Sequence, residues 1–332
     1  MKVLVIRFSS IGDIVLTTPV MRCLKQQRPD ITVHYLTKKS FRGLIDTNPY
    51  VDKVHLLNDE NWEAMIAELQ AEKFDLIVDL HKNLRTLRVK RALRKVKSVS
   101  FSKLNFEKWL LTSFLKINKM PPVHIVDRLV DTVRHLGVVN DGKGLDYFIP
   151  EKDEVNAADL PMSHQAGYIG VVIGAALATK KMPVEKLKAL CASIQKPIVL
   201  MGGPEDRPEG EEIASIDRVK IYNACGKFNL NESACLVRNA KLIVTHDTGL
   251  MHIAAAFKKP VISIWGNTVP AFGMTPYFGN AAVPSAIFEV EGLGCRPCSK
   301  IGYKKCPKGH FKCMNNQNVT AIATAAEKGL HL

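Results

Sequence analysis

Residues Lys241 to Gly266, KLIVTHDTGLMHIAAAFKKPVISIWG, read in one local order: strand, turn, helix, strand. LIVTH and VISIW are short β-branched apolar runs, and GLMHIAAAF between them is rich in helix-forming Ala and Leu. Lys258 and Lys259 suit the negative end of that helix, and Pro260 stops it. A strand that returns parallel to its predecessor through a helix commits the surrounding chain to an α/β sheet. The turn His246-Asp247-Thr248-Gly249 falls at the strand's carboxyl end, where open α/β sheets bind ligands. Thr248 is placed to cap the helix, and Gly249 removes a side chain where a ligand would approach the backbone. A helix start can hold a phosphate on its unpaired N–H groups. The plainer alternative is an ordinary capped βα turn.

The same alternation runs through the rest of the chain. KVLVIR, Ile31 to Leu36, Val51 to Leu57 and FDLIVDL read as strands, with helices over IVLTTPVMRCLKQQ and Asn61 to Glu72. Pro19 inside the first helical pattern starts or kinks it. Asp13, in FSSIGD, is either a helix cap or a carboxylate held in a cleft as a base. Lys103 to Ile117 is an amphipathic helix, read as a core helix in preference to a membrane-touching one. Mixed Gly, Asp, Glu and Pro over 137–161 read as a linker. Strands then restart at Tyr168 to Ile173 and Pro197 to Met201. The expected fold is α/β: two doubly wound Rossmann-like domains, 1–150 and 151–317, facing across a ligand-holding cleft. A last helix within 318–332 is expected to close the chain by crossing back to the first domain.

Charge narrows the partners. The 332 residues carry a formal net charge of +14, which calls for an anionic partner. Eight of the seventeen residues from His81 to Lys97 are cationic, with no carboxylate among them. A solvated helix face is the plain account. The density favours a surface for an acidic acceptor or anionic lipid headgroups. Nucleic acid fits less well, because no aromatic residue interleaves the run to stack bases. Neither a transmembrane run nor a signal peptide is read, since MKVLVIRF is too short and soon meets charge, so a cytoplasmic protein with reduced thiols is expected. In the tail, Cys295, Cys298, Cys306 and Cys313, with His310, are a structural zinc site, a compact lid of reduced thiols, or an incidental spacing.

Taken in order, VLVIRFSSIGD, GAALATKKMP, GGPED and HDTGLMHIAAA resemble the motifs of the ADP-heptose lipopolysaccharide heptosyltransferases, glycosyltransferase family 9. The tail CRPC…CPKGHFKC is similar as well. The resemblance implies a GT-B arrangement, an ADP-sugar donor, inversion at the transferred sugar, and no cofactor or divalent metal. It implies Asp13 as the base that deprotonates the acceptor hydroxyl. Lys180 would neutralise the diphosphate, and Asp206 would contact the ribose. Asp247, Thr248, Gly249 and His252 would surround the diphosphate and sugar, and Phe228 would lie near the adenine. Ser10 and the cations Lys82, Arg85, Arg88 and Arg91 are assigned to an acidic, lipid-linked saccharide acceptor.

The expected place of work is therefore the inner face of the inner membrane, with an anionic lipid surface and no nucleic acid as partner. The sequence departs from the family pattern at Met182, where Trp is frequent, and at Ala175 and Ala176, where hydroxyl residues are frequent. Each lost hydroxyl removes a hydrogen bond worth about 1 kcal/mol or more to a charged group. The rival readings are transfer from another nucleotide sugar, a sugar-nucleotide epimerase, and a basic nucleic-acid-binding protein.

Overall fold

The computed structural model describes residues 1–329, and the chain divides into two compact units. Of the described residues, the first holds 1–103 and 123–148, the second 104–122 and 149–329.

The first unit begins with β1 (Lys2–Ile6), which is almost wholly buried. After it come α1 (Ile11–Val15) and α2 (Thr18–Gln27). Pro19 sits in the first turn of α2, where its missing N–H costs nothing, so the proline opens a helix and does not bend one. The chain continues through β2 (Thr32–Lys38), β3 (Lys53–Leu57), α3 (Trp62–Ala71), β4 (Leu76–Asp79), α4 (Leu84–Ala92) and β5 (Lys97–Ser100). The five strands lie in the order β3-β2-β1-β4-β5, all parallel. Strand β5 was not read in the sequence: it begins inside the cationic run, and an edge strand tolerates Lys97 and Ser98 facing solvent.

The chain then leaves this unit for α5 (Asn105–Thr112) and returns with α6 (Ile125–Asp131). A buried Arg22 on α2 anchors the return. Its guanidinium donates to both oxygens of Asp141 at 2.8 Å, to the Gly144 carbonyl at 2.7 Å and to Asp146.

The second unit contains α7 (Met162–Gln165), β6 (Ile169–Val172), α8 (Val184–Ser193), β7 (Ile198–Met201), α9 (Arg207–Ala214), β8 (Ile221–Asn223), α10 (Leu230–Asn239), β9 (Leu242–His246), α11 (Gly249–Ala256), β10 (Val261–Trp265), β11 (Ser285–Glu289), α12 (Lys312–Asn315) and α13 (Val319–Glu327). Its six strands are parallel, in the order β11-β10-β9-β6-β7-β8. Residues Lys241 to Gly266 therefore form β9, α11 and β10, whose two strands are neighbours inside this sheet.

Two expectations about domain extent change. Residues 104–122 belong with the second unit, not within a continuous 1–150 domain. Helix α13 does not cross back: Ile322, Ala323 and Ala326 lie in the second unit's own core, and α13 packs on α8. Its three inward apolar residues at helical spacing give it a complete burial surface there. Residues 330–332 of the expected closing segment lie outside those described. Ile322 is fully buried. Ile322→Ala should therefore cost about 2–4 kcal/mol of stability in urea unfolding of the full chain. A helix docked only loosely would give a loss near zero.

Candidate active site

At the carboxyl end of β1 the chain places a cation where an apolar strand ends. Arg7 is buried, and its guanidinium donates to the Ser9 carbonyl at 2.8 Å and the Leu80 carbonyl, just past β4, at 2.6 Å. Its remaining nitrogen meets Asp13 Oδ1 at 2.6 Å. The other Asp13 oxygen accepts from the Ser10 backbone N–H at 3.2 Å and from the Ser10 hydroxyl at 2.8 Å. The two alternatives raised for Asp13 are thus not exclusive. The carboxylate closes the start of α1, and its side chain still keeps 24% of its exposure.

Burial alone would raise the Asp13 pKa. The Arg7 charge and the bonds from Ser10 outweigh it and hold the carboxyl below its ordinary range. The group is therefore a carboxylate at neutral pH, as a base must be. His81 follows β4, its ring 5.2 Å from that of Phe8. Burial pushes its pKa down to about 4, with Arg7 and Lys103 adding to the effect and the Asp13 charge opposing it. Lys103 is lowered too, by burial first and then by Arg7. Around Asp13, then, stand one fixed cation, a neutral imidazole and a partly desolvated ammonium.

In the second unit three strand ends converge. Lys180 Nζ, from the loop after β6, meets Asp247 Oδ2 at 2.7 Å and the Asp247 carbonyl at 3.2 Å. Thr268, after β10, donates its hydroxyl to the same Asp247 oxygen at 2.9 Å. An ammonium has three donors, so one N–H of Lys180 is left for a further anion. Thr248 stands at the N-cap of α11, but its hydroxyl makes no bond to the helix and lies 3.3 Å from Thr245 Oγ1. The helix start at Gly249 therefore keeps backbone N–H groups that the cap side chain does not satisfy. His252 is buried in the first turn. His246, one residue before Asp247, accepts the Met182 N–H at 3.0 Å, and burial lowers its pKa to about 4. Met182 itself is part of the core.

Asp206, which the resemblance assigns to the ribose, stands at the end of the turn after β7. Its side chain is buried, with one oxygen on Lys181 Nζ at 2.7 Å and the other accepting the Gly203 N–H at 2.9 Å. It packs so tightly under Gly174 that a Cβ there would fall 2.1 Å from Asp206 Oδ2. Asp206 thus ties Lys181 to the loop after β7. Phe228, half-buried, lies in the loop after β8 at the outer edge of the sheet order.

Ser10, Lys82, Arg85, Arg88 and Arg91 are all exposed. The cationic run is less unbalanced than it reads. Arg85 lies 3.4 Å from Asp59, Arg88 stacks 3.8 Å over the Trp62 ring, and Lys90 pairs at 3.0 Å with the fully buried Asp79.

The tail holds Cys295, Cys298, Cys306, Cys313 and His310. Cys295 Sγ is 3.8 Å from His310 Nε2, but among the described residues no three of these groups come within 4.8 Å of one another. Burial raises Cys298 and Cys313, and each also feels the charge of neighbouring thiols. His34, His55 and Glu72 do cluster, with His34 Nδ1 2.9 Å from His55 Nε2. Both Glu72 oxygens, however, are taken by ammonium groups, Lys2 at 2.7 Å and Lys53 at 2.6 Å. That carboxylate already has its cations.

Arg7, His81, Lys181 and Thr268 were not singled out from the sequence. Arg7 left one signal, a charge closing an otherwise apolar strand.

Two parallel α/β units with charged loops at their strand ends form the fold of GT-B glycosyltransferases. The structure aligns with a family 9 glycosyl transferase from Veillonella parvula at a TM-score of 0.77 and 21% identity, covering 99% of this chain and 97% of that one. It aligns with E. coli heptosyltransferase WaaC with ADP at 0.69 and 20% identity, over 99% and 100%.

The sequence matches the profile of glycosyltransferase family 9 (heptosyltransferase) over residues 62–302, and the chain belongs to that family. It is 24% identical over 326 residues to lipooligosaccharide heptosyltransferase 2 of Haemophilus influenzae, across 91% of this chain and 93% of that protein. It is 25% identical over 309 residues to lipopolysaccharide heptosyltransferase 1 of Campylobacter coli, across 85% and 86%.

The fixed Arg7 charge has a measurable consequence. In Arg7→Met the burial of Asp13 persists while its main opposing charge is gone. Carboxyl-carbon NMR should then show the Asp13 midpoint moving upward from its depressed native position. An unmoved midpoint would mean that Ser10 alone sets it.

Proposed function

We propose that the chain transfers a heptose from ADP-heptose to a lipid-linked saccharide of the lipopolysaccharide inner core, with inversion and without a divalent metal. The observation that carries this reading is the Arg7–Asp13–Ser10 cluster, which keeps one partly exposed carboxylate ionised and fixed. The family membership and the names of the relatives support the sugar and the acceptor class.

Asp13 takes the proton of the acceptor hydroxyl while the acceptor oxygen bonds to the anomeric carbon. On the opposite face the bond from that carbon to the diphosphate oxygen breaks, and ADP leaves. A single displacement with one base inverts the centre, through an oxocarbenium-like transition state. Negative charge then grows on the leaving diphosphate. The third N–H of Lys180 and the open start of α11 oppose it. Asp247 would repel a phosphate directly. Its part is to aim Lys180 and, through its second oxygen, to meet a sugar hydroxyl. The exposed Arg85, Arg88 and Arg91 meet the acidic acceptor. Among the described residues no helix is long and apolar enough to cross a membrane. The reading accordingly places the protein on the cytoplasmic face of the inner membrane as a peripheral protein, with no nucleic acid as partner.

Mass spectrometry of products from a panel of ADP-, UDP- and GDP-sugars with a lipid A–Kdo acceptor tests the reading. A heptosyl product from the ADP donor alone is expected. A product from another donor, or conversion of the donor without acceptor, would replace it. Asp13→Asn keeps an acceptor oxygen for Ser10 but removes the base, and kcat should fall about 10²–10⁴-fold with donor Kd unchanged. Lys180→Ala should weaken donor binding or slow the chemical step, read by calorimetry with ADP and by single-turnover kinetics. Normal values for both would place the diphosphate elsewhere.

A further inference from the structure

The segment read from sequence as a core helix turns several large apolar side chains outward. Helix α5 buries Leu110 and Leu111 but leaves Phe106 65% and Trp109 51% exposed. Those two rings stack on each other at 6.1 Å. Beyond the helix, Phe114 is 90% exposed, and Leu115 and Ile117 are exposed as well. Nothing about internal packing accounts for five large apolar groups turned outward within twelve residues.

A second surface joins this one within the same unit. Lys116 Nζ donates to the Pro297 carbonyl at 2.7 Å, and Lys300 Nζ to the Asn105 carbonyl at 3.3 Å. These bonds place the loop 297–312 beside α5. That loop exposes Lys300, Lys304, Lys305, Lys308 and Lys312, with Ile301 and Tyr303 among them. No Asp or Glu occurs between Glu291 and Glu327.

We propose that this face, an aromatic wedge of Phe106, Trp109 and Phe114 beside the lysine loop 300–312, docks the protein on an anionic lipid bilayer. A bilayer satisfies both halves at once: the rings enter the boundary of headgroups and acyl chains, and the lysines meet lipid phosphates. A second copy of the chain would satisfy only the rings, because five lysines would then face five lysines. The docking face is in the second unit, apart from the cationic helix α4 of the first. The inference rests on the proposed lipid-linked acceptor for its biological sense, but its deciding readout, vesicle binding, needs no sugar substrate.

The experiment is co-sedimentation of the full chain with vesicles of phosphatidylglycerol and phosphatidylethanolamine, against vesicles of phosphatidylcholine alone. Two variant sets are compared: Phe106→Ser with Trp109→Ser and Phe114→Ser, and Lys304→Glu with Lys305→Glu and Lys308→Glu. All six positions are off the core, and thermal melting checks that each set folds. The native chain should sediment with the anionic vesicles only. Each set should weaken that binding at least about tenfold, and added salt should weaken the native chain as the lysine set does. Transfer to a water-soluble acceptor fragment should keep its native kcat in both sets.

Equal vesicle binding by native and variant chains would overturn the proposal, as would no binding by the native chain. A dimer in sedimentation velocity that the serine set dissolves would assign the face to a second copy and overturn it too. Intact vesicle binding without any sugar transfer would remove the proposed activity and leave the docking face standing.

Discussion

Parallel strand pairing is the constraint from which the rest follows. Every ladder in both sheets is parallel, so in each unit all strands leave on one edge. Residues far apart in sequence then meet because each follows a strand. Arg7 reaches the Leu80 carbonyl across 73 positions, and Lys180 reaches Asp247 across 67. Each crossover also needs a helix, whose start sits on that same edge. The chain thus obtains charged side chains and helix N-termini in one place from topology alone.

What it does with them is to fix charge before any ligand arrives. Arg7 is tied to two carbonyls and one carboxylate, and Lys180 to one carboxylate and one carbonyl. Such fixing opposes basicity: the Arg7 charge that holds Asp13 in place also depresses its proton affinity. The displacement proposed at an anomeric carbon does not require a strong base at rest, however. The acceptor hydroxyl becomes acidic only as its bond to carbon forms, so a carboxylate already ionised and immobile loses little and reorganises less. The same reasoning explains the neutral imidazoles. His81 and His246 are both held uncharged by burial, which adds polar atoms to the strand ends without adding positive charge.

Periodicity made the fold legible in sequence, because strands buried on both faces read as continuous apolar runs and the helices between them do not. It failed at β5 and β11. Both are edge strands with half-exposed, mixed sequences, SVS within a lysine-rich run and SAIFE after a loop. Segment 104–122 was misplaced for a different reason: chain order says nothing of which neighbour an excursion packs against. At the site, Asp13, Asp247 and Thr248 stood out because each follows a strand within a recognisable turn, and Lys180 through the family resemblance of its loop. Arg7 and Thr268 did not, since their roles exist only once β1 lies beside β4 and β10 beside β9. Asp206 was assigned to the ribose by the family resemblance alone. It and Asp247 each hold one of two adjacent lysines, Lys181 and Lys180, and no motif encodes which carboxylate each will choose.

Net charge was the least informative quantity, and the structure shows why. Of the cations counted toward +14, some are internal ties, such as Arg22 on Asp141 and Lys90 on Asp79. Others sit on α4 partly matched by carboxylates or by the Trp62 ring. The 300–312 loop is different in kind: its lysines have no acidic residue near them in sequence and stand beside exposed aromatic rings. A bilayer discriminates between these groups where a charge sum cannot. An ammonium already paired offers a lipid phosphate little, because forming the new contact gives up the old one. An unmatched ammonium beside an apolar wedge gains both terms together. On the proposed docking, the placement of carboxylates, more than the number of lysines, decides which face of the molecule an anionic surface would hold.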